Sequence, residues 1–318
     1  MGKTTKIEWT RSDDGTPGAT WNPTTGCSRV SPGCEKCYAI HDAHRLGQNP
    51  NEKVKAAYHG LTRHKIGLGR QDWTGEVRCL PERLTIPLHW KKPKRIFVNS
   101  QSDLFHEKIP DEFIDRVFAV MALAPQHVFQ VLTKRPERMR AYCSAFDWNQ
   151  IDSIEAVRWH MKGGDPEKTL IGEWPLPNCW LGTSVENQAT ADGRIPLLLK
   201  TPAAVRFLSI EPMLAPIDLS GWLYLCPRCD GKGCSEGDCQ DGYVNQGIGW
   251  VIVGGESGPD ARPLNEDWVR DIRDQCQEAG VAFFYKQKIE QGKKVSLPFL
   301  DGKQYAEYPS AHTIKTTL

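Results

Sequence analysis

Three cysteines within eleven residues, Cys27, Cys34 and Cys37, form the pattern C-x6-C-x2-C on a segment opened by Gly26, Pro32 and Gly33. Thiolates at this spacing can converge on one metal centre and leave a fourth position without a protein ligand. Structural zinc is usually closed by four ligands, whereas an iron–sulfur cluster held by three cysteines exposes one iron to a second molecule. The alternative is three unrelated reduced thiols. A second group, Cys226, Cys229, Cys234 and Cys239, places four thiols in fourteen residues, with a C-x2-C knuckle backed by glycines. That group suits tetrahedral zinc, against a second iron–sulfur cluster or free thiols. Arg228 and Lys232 beside it agree with phosphate contact, although surface cations usually serve only solubility.

The rest of the chain must position these groups. Its 318 residues are 39% hydrophobic, enough for a substantial core in one large domain or two. No run of eighteen apolar residues occurs and the first eight residues lack an apolar core, so neither a membrane span nor secretion is expected. A cytoplasmic location is expected instead. Eleven cysteines in a reducing compartment favour metal or redox chemistry over a disulfide framework. A net charge of +1 neither demands nor excludes nucleic acid.

Along the chain, Lys6–Thr10 reads as a short strand before the cysteine loop, and Tyr38–Leu46 as a helix directly after it. The positive N-terminal end of that helix would favour a negatively charged cluster. Residues 47–90 read as a polar, irregular excursion, basic in patches. From Lys94 a unit recurs in which a β-branched or aromatic run is followed by an amphipathic helical pattern. Six such runs are present, at 95–99, 128–132, 179–183, 205–210, 250–254 and 281–285. Helices are predicted over Asp111–Ala124, Pro136–Phe146, Ala189–Lys200 and Glu266–Ala279, the last closed by Gly280. Strands alternating with helices imply parallel pairing, and the count suits a partial or complete (β/α) barrel better than an open doubly wound sheet. The barrel is expected over 1–290, with a cysteine-rich, zinc-like insertion at 221–248 and a C-terminal tail over 291–318.

The strand exits carry the remaining chemistry: Ser100 to Asp103, Lys134 and Arg135, Glu186, Glu211, Gly255 and Glu256, then Lys286. In a β/α barrel these exits meet at the C-terminal face, where active sites of that fold lie. A shared polar pocket is expected there.

A three-cysteine loop after the first strand of such a barrel resembles the radical S-adenosylmethionine (SAM) superfamily. The usual spacing there is C-x3-C-x2-C, so this chain keeps the second interval and lengthens the first by three residues. More closely, the runs Thr20–Tyr38, Phe97–Phe105, Leu132–Arg138, Trp180–Asn187, Phe207–Pro212 and Gly254–Gly258 resemble a phage and prophage family of radical-SAM-like proteins. That family is distantly similar to spore photoproduct lyase, and some of its members are associated with remodelling hypermodified thymine in DNA. The resemblance implies a [4Fe–4S] cluster on Cys27, Cys34 and Cys37, with SAM chelated to the fourth iron. It also implies an electron donor such as flavodoxin or ferredoxin, and a radical isomerase or lyase reaction. Gly255-Glu256 resembles the Gly-Gly-Glu element that binds the SAM amino group, although that element follows an early strand and this one a late strand. Ser100, Ser102 and Asp103 are alternative SAM contacts. Lys134 and Arg135 would neutralise a carboxylate or a nucleic-acid phosphate, with Glu186 and Glu211 as further catalytic candidates. Two competing readings are a zinc-dependent nucleic-acid-binding protein without redox chemistry and a metal-dependent hydrolase. The hydrolase lacks an H-x-H or H-E-x-x-H pair among the nine histidines.

Overall fold

The structure, a computed structural model, describes residues 4–65, 69–145, 174–223, 247–258 and 260–309. Cys226, Cys229, Cys234 and Cys239, with nearly all of the expected insertion, lie outside the described residues.

All six β-branched and aromatic runs form strands, and they line up in chain order. Strand β1 (Ala19–Trp21) begins an eight-stranded sheet. The short β2 (Thr24–Thr25) pairs with β5 (Arg78–Cys79) outside that sheet, as β3 (Thr62–Lys65) pairs with β4 (Arg70–Trp73). The sheet continues through β6 (Arg95–Val98), β7 (Val128–Thr133), β8 (Cys179–Ser184), β9 (Val205–Ile210), β10 (Trp250–Gly254) and β11 (Ala282–Glu290), each parallel to its neighbour. An antiparallel β12 (Lys293–Ser296) ends the order, and β1 and β12 do not pair with each other. The chain is therefore mixed α/β, with a mostly parallel sheet curled into a half-barrel.

Helices occupy the predicted intervals: Asp111–Ala122, Pro136–Ala145, Gln188–Leu199 and Glu266–Glu278. Local chemistry sets their ends. Asn187 accepts from the Thr190 amide at 3.0 Å, a reciprocal cap that starts one helix. Gly280, with φ of +65°, turns the chain out of another.

Alternation along the strands divides the core in two. Ile96, Val98, Phe129, Val131, Leu181, Leu208, Val251 and Phe283 face the helices. Phe97, Trp180, Val205, Phe207, Trp250, Ile252 and Phe284 point to the other side, where they pack around Trp9. The Trp9 ring lies 4.7 Å from Phe97 and 6.1 Å from both Phe207 and Trp250, centroid to centroid. On this crowded face a Cβ at Gly182 would sit 2.6 Å from the Phe207 ring, so only glycine fits.

Two expectations change. Lys6–Thr10 is not a strand: Glu8–Thr10 is one turn of 3-10 helix, and the first strand is Ala19–Trp21. The turn lets Trp9 leave the sheet's plane and fill its hollow. Residues 291–309 are also not a free tail. Beyond β12, the Tyr285 amide donates to the Tyr305 carbonyl at 2.9 Å, and Trp250 Nε1 donates to the Glu307 carbonyl at 2.8 Å. Burial of Leu300 and Tyr305 in the main core explains why this segment stays on the sheet.

Among the described residues, no helix is long and apolar enough to cross a membrane.

Candidate active site

The cysteine loop leaves the top of β1 and is fastened to the exit of β6. Asn99, in the left-handed region at φ of 59°, donates from its side-chain nitrogen to Thr24 Oγ1 at 2.6 Å. The Ser102 hydroxyl donates to the Thr24 carbonyl at 2.9 Å, and Ser100 Oγ donates to Asn22 Oδ1 at 3.2 Å. Ser100 and Ser102 line the cavity described next, but their hydroxyl protons are spent holding the loop's first residues. The outer side of the loop is clamped by ion pairs, Arg29 to Asp72 and Arg70 to Glu35, each at 2.6 Å. Helix Tyr38–Leu46 starts directly after Cys37, as expected.

Above the Trp9 plug lies a cavity of about 480 Å³ at the C-terminal ends of the parallel strands. Cys27, Cys34 and Cys37 all line it, and so do Asp103, Lys134, Arg135, Glu211, Glu256 and Lys286. The topology therefore gathers cysteines and strand-exit charges from distant parts of the chain around one cavity. All three thiols are free of disulfides. Burial pushes the Cys27 thiol up to about 12, Asp103 adds to the rise, and Arg135 opposes it. Burial also raises Cys37, opposed by the backbone N–H of Ala39 at the start of the helix. Among the described residues, no three His, Cys, Asp or Glu side chains already stand together as a metal-ligand set.

The charges around the thiols pair among themselves. Asp103 accepts from Thr133 Oγ1 at 2.7 Å, from the backbone N–H groups of Phe105 and Lys134 at 3.0 Å, and from Arg135 Nη1 at 3.0 Å. Its two oxygens are thereby occupied, and its visible task is to organise the β7 exit. Glu186 is wholly buried, in contact with Lys134 Nζ, with Arg194 Nη1 at 3.2 Å and with the Ser31 hydroxyl at 2.7 Å. Burial would raise the Glu186 carboxyl, but Lys134 and Arg194 hold it below the ordinary value. Glu186 thus seats the cysteine loop through Ser31.

Across the cavity Lys286 Nζ meets Glu211 Oε1 at 2.5 Å, and the Gln287 amide donates to the same oxygen at 3.0 Å. Both residues reach the cavity. Glu256 accepts from the Arg262 amide at 2.7 Å and from Arg262 Nε at 3.0 Å, while Arg262 Nη2 reaches the Pro32 carbonyl at 3.1 Å. Glu256 is therefore a further support of the loop. Gly255 is tied by its amide to the Gln287 carbonyl at 3.0 Å, at an irregularity in the β10–β11 pairing.

Gln101 and Gln287 were not singled out by their sequence context. Both line the cavity, both are at least nine-tenths buried, and both amide oxygens lack a hydrogen-bond partner. Their orientations follow from their neighbours. The Gln101 nitrogen faces the Asp42 carboxylate at 3.3 Å, and the Gln287 nitrogen faces Glu211 and the Gly255 carbonyl at 3.0 Å, groups that only accept when ionised or carbonyl. Both oxygens are closed off from solvent as well as unpartnered. No local motif announces them, because their partners are brought in by the sheet.

No curated protein matches the chain, and no solved structure matches it. A family model described as "protein of unknown function (DUF5131)" matches residues 4–309. With that match spanning the half-barrel, the cysteine loop and the C-terminal strands alike, the chain belongs to the DUF5131 family.

Proposed function

We propose that the protein is a radical SAM enzyme of the isomerase or lyase type, in which Cys27, Cys34 and Cys37 hold a [4Fe–4S] cluster. One observation carries the reading: three free thiols of a single loop share one cavity at the C-terminal face of a parallel β/α half-barrel. The donor set fits such a cluster, being soft, threefold and short of one ligand. The three sulfurs must still converge in the loaded protein, which the present arrangement does not display. When bound, the cluster and SAM supply an electron for cleavage of the sulfonium and a carbon radical that takes hydrogen from an unactivated position.

The chain's own residues have separate tasks in this reading. Gln101 and Gln287 line the cavity that would take SAM, whereas Ser100, Ser102, Asp103, Gly255 and Glu256 are engaged in holding the site together. Lys134 and Arg135 offset negative charge beside the thiolates. The Trp9 plug closes the floor to water, as a reactive radical requires. Glu211 and Lys286, which also line the cavity, form an ion pair able to bind and orient the substrate. The substrate class we propose is a nucleobase or nucleotide, such as a hypermodified thymine in phage DNA. Electrons come from a flavodoxin or ferredoxin, and zinc occupies the second cysteine group.

Anaerobic purification tests the proposal. We expect a brown protein with about four irons per chain, colour and iron both lost in Cys34→Ala. With dithionite and SAM it should release 5′-deoxyadenosine or methionine. A colourless protein that carries zinc and no iron after reconstitution would replace this reading with a zinc-dependent nucleic-acid-binding protein.

A further inference from the structure

Arg135 sits at the β7 exit with its side chain 11% exposed. Its guanidinium carries five N–H donors, and five acceptors surround it. Nε faces Glu107 Oε2 at 3.3 Å. Nη1 faces Asp103 Oδ2 at 3.0 Å and Cys27 Sγ at 3.7 Å. Nη2 donates to the Ser28 carbonyl at 3.2 Å and to Ser28 Oγ at 2.8 Å. No donor is left over for a substrate phosphate or carboxylate.

The surroundings hold this fork in place. Asp103 is fixed by Thr133 and by the Phe105 and Lys134 amides. Ser28 Oγ also lies 2.9 Å from His106 Nε2; the Lys108 amide donates to Nδ1 of that ring, which leaves Nε2 to carry the proton. Arg135 thus ties the first cysteine of the loop to a rigid strand end through two adjacent residues.

We infer that Arg135 is a positioning residue for Cys27, and not a substrate ligand. It fixes the start of the cysteine loop before any metal arrives and donates an N–H to the Cys27 sulfur. Both contacts are present without metal, and only the effect of the second on a cluster rests on the proposed function. Hydrogen bonds to cluster sulfurs and nearby charge set the reduction potential of iron–sulfur centres, and outer partners orient the ligands. A donor with positive charge stabilises the more negative, reduced form, so its loss shifts the potential to more negative values. Lysine keeps the charge but cannot reach Cys27, Ser28 and Asp103 together.

The test uses Arg135→Gln, Arg135→Lys and the milder Ser28→Ala, each checked for the wild-type circular dichroism spectrum. Hydrogen exchange of metal-free protein should show segment 24–26, paired to β5 and to Ser102, opening about tenfold more often in both Arg135 variants, close to 1.4 kcal/mol, with a smaller rise in Ser28→Ala and no change in strand β9. After reconstitution, Arg135→Gln should retain less iron and show a more negative potential than wild type, and Arg135→Lys should shift the potential less. Unchanged exchange in all three variants overturns the positioning role. Normal exchange effects with an unmoved potential overturn the sulfur contact alone. A wild type that takes up no iron defeats the proposed function, and the exchange measurement still decides the role of Arg135.

Discussion

Gly33 offers the sharpest test of how the cysteine loop is seated. A Cβ added there would lie 2.5 Å from Glu186 Cγ, 2.6 Å from Oε1 and 2.8 Å from Cδ. Such contacts must be relieved by movement. The Glu186 side chain is 0% exposed and pinned by Lys134, Arg194 and Ser31, so it has nowhere to retreat. Gly33→Ala should therefore cost about 1–3 kcal/mol, the range for forcing an extra carbon into a packed site. Glu186→Ala alone removes the carboxylate and strands two cations, at about 3 kcal/mol, the low end for breaking a buried pair because Lys134 is 20% exposed. The same substitution deletes all three clashing atoms. In the Glu186→Ala background, Gly33→Ala should then cost less than about 0.5 kcal/mol, within ordinary additivity error. Urea unfolding of the four proteins, followed by far-UV circular dichroism, gives the cycle. An equal cost of Gly33→Ala in both backgrounds would refute the clash as the reason for glycine.

The Glu186 carboxyl, with a folded-state pKa held below the ordinary 4.5, contributes stability that is full above that value and is lost as pH falls through the lowered one. The stability gap between wild type and Glu186→Gln should accordingly be widest near neutral pH and shrink on the acid side of that window; a gap independent of pH would remove the charge argument. Trp9→Ala empties the plug of the half-barrel and should cost about 3–5 kcal/mol in urea unfolding, whereas a loss below about 0.5 kcal/mol would mean the hollow refills. Ending the chain after Glu290 exposes the β11 edge and uncovers Phe283 and Trp250, so the shortened protein should aggregate or unfold at a much lower urea concentration; a wild-type midpoint would make the C-terminal strands dispensable.

The β6 to β11 strands and the intervening helices were readable because their signals are local. Val128 to Leu132 or Trp250 to Val253 is a β-branched and aromatic run between polar residues, and Asp111 to Ala122 repeats its apolar residues at helical spacing. The N-terminus misleads for the same reason. Ile7, Glu8 and Trp9 alternate as a strand would, and nothing nearby reveals that the Trp9 ring is needed in the hollow formed by β6, β9 and β10. Segment 291–309 looks polar and loop-like, and only its pairing with β11 makes it part of the sheet.

For the site, composition and spacing alone determined which chemical groups are present: three thiols on one loop and a charged residue at the exit of each strand from β6 to β11. The three thiols fall in one short segment, so Cys27, Cys34 and Cys37 could be picked out without a structure. Which charges remain available was a matter for the tertiary structure. Asp103 and Arg135 are 32 residues apart, Lys134 and Glu186 52, and Glu211 and Lys286 75. Strand order brings each pair together, and a carboxylate such as Asp103 or Glu186 that has met its cation across the sheet serves as structure, whatever its position at a strand exit suggests. The physical reason is that burying a charge is tolerable only with a partner. Pairing is a long-range property, whereas residue type and spacing are local ones.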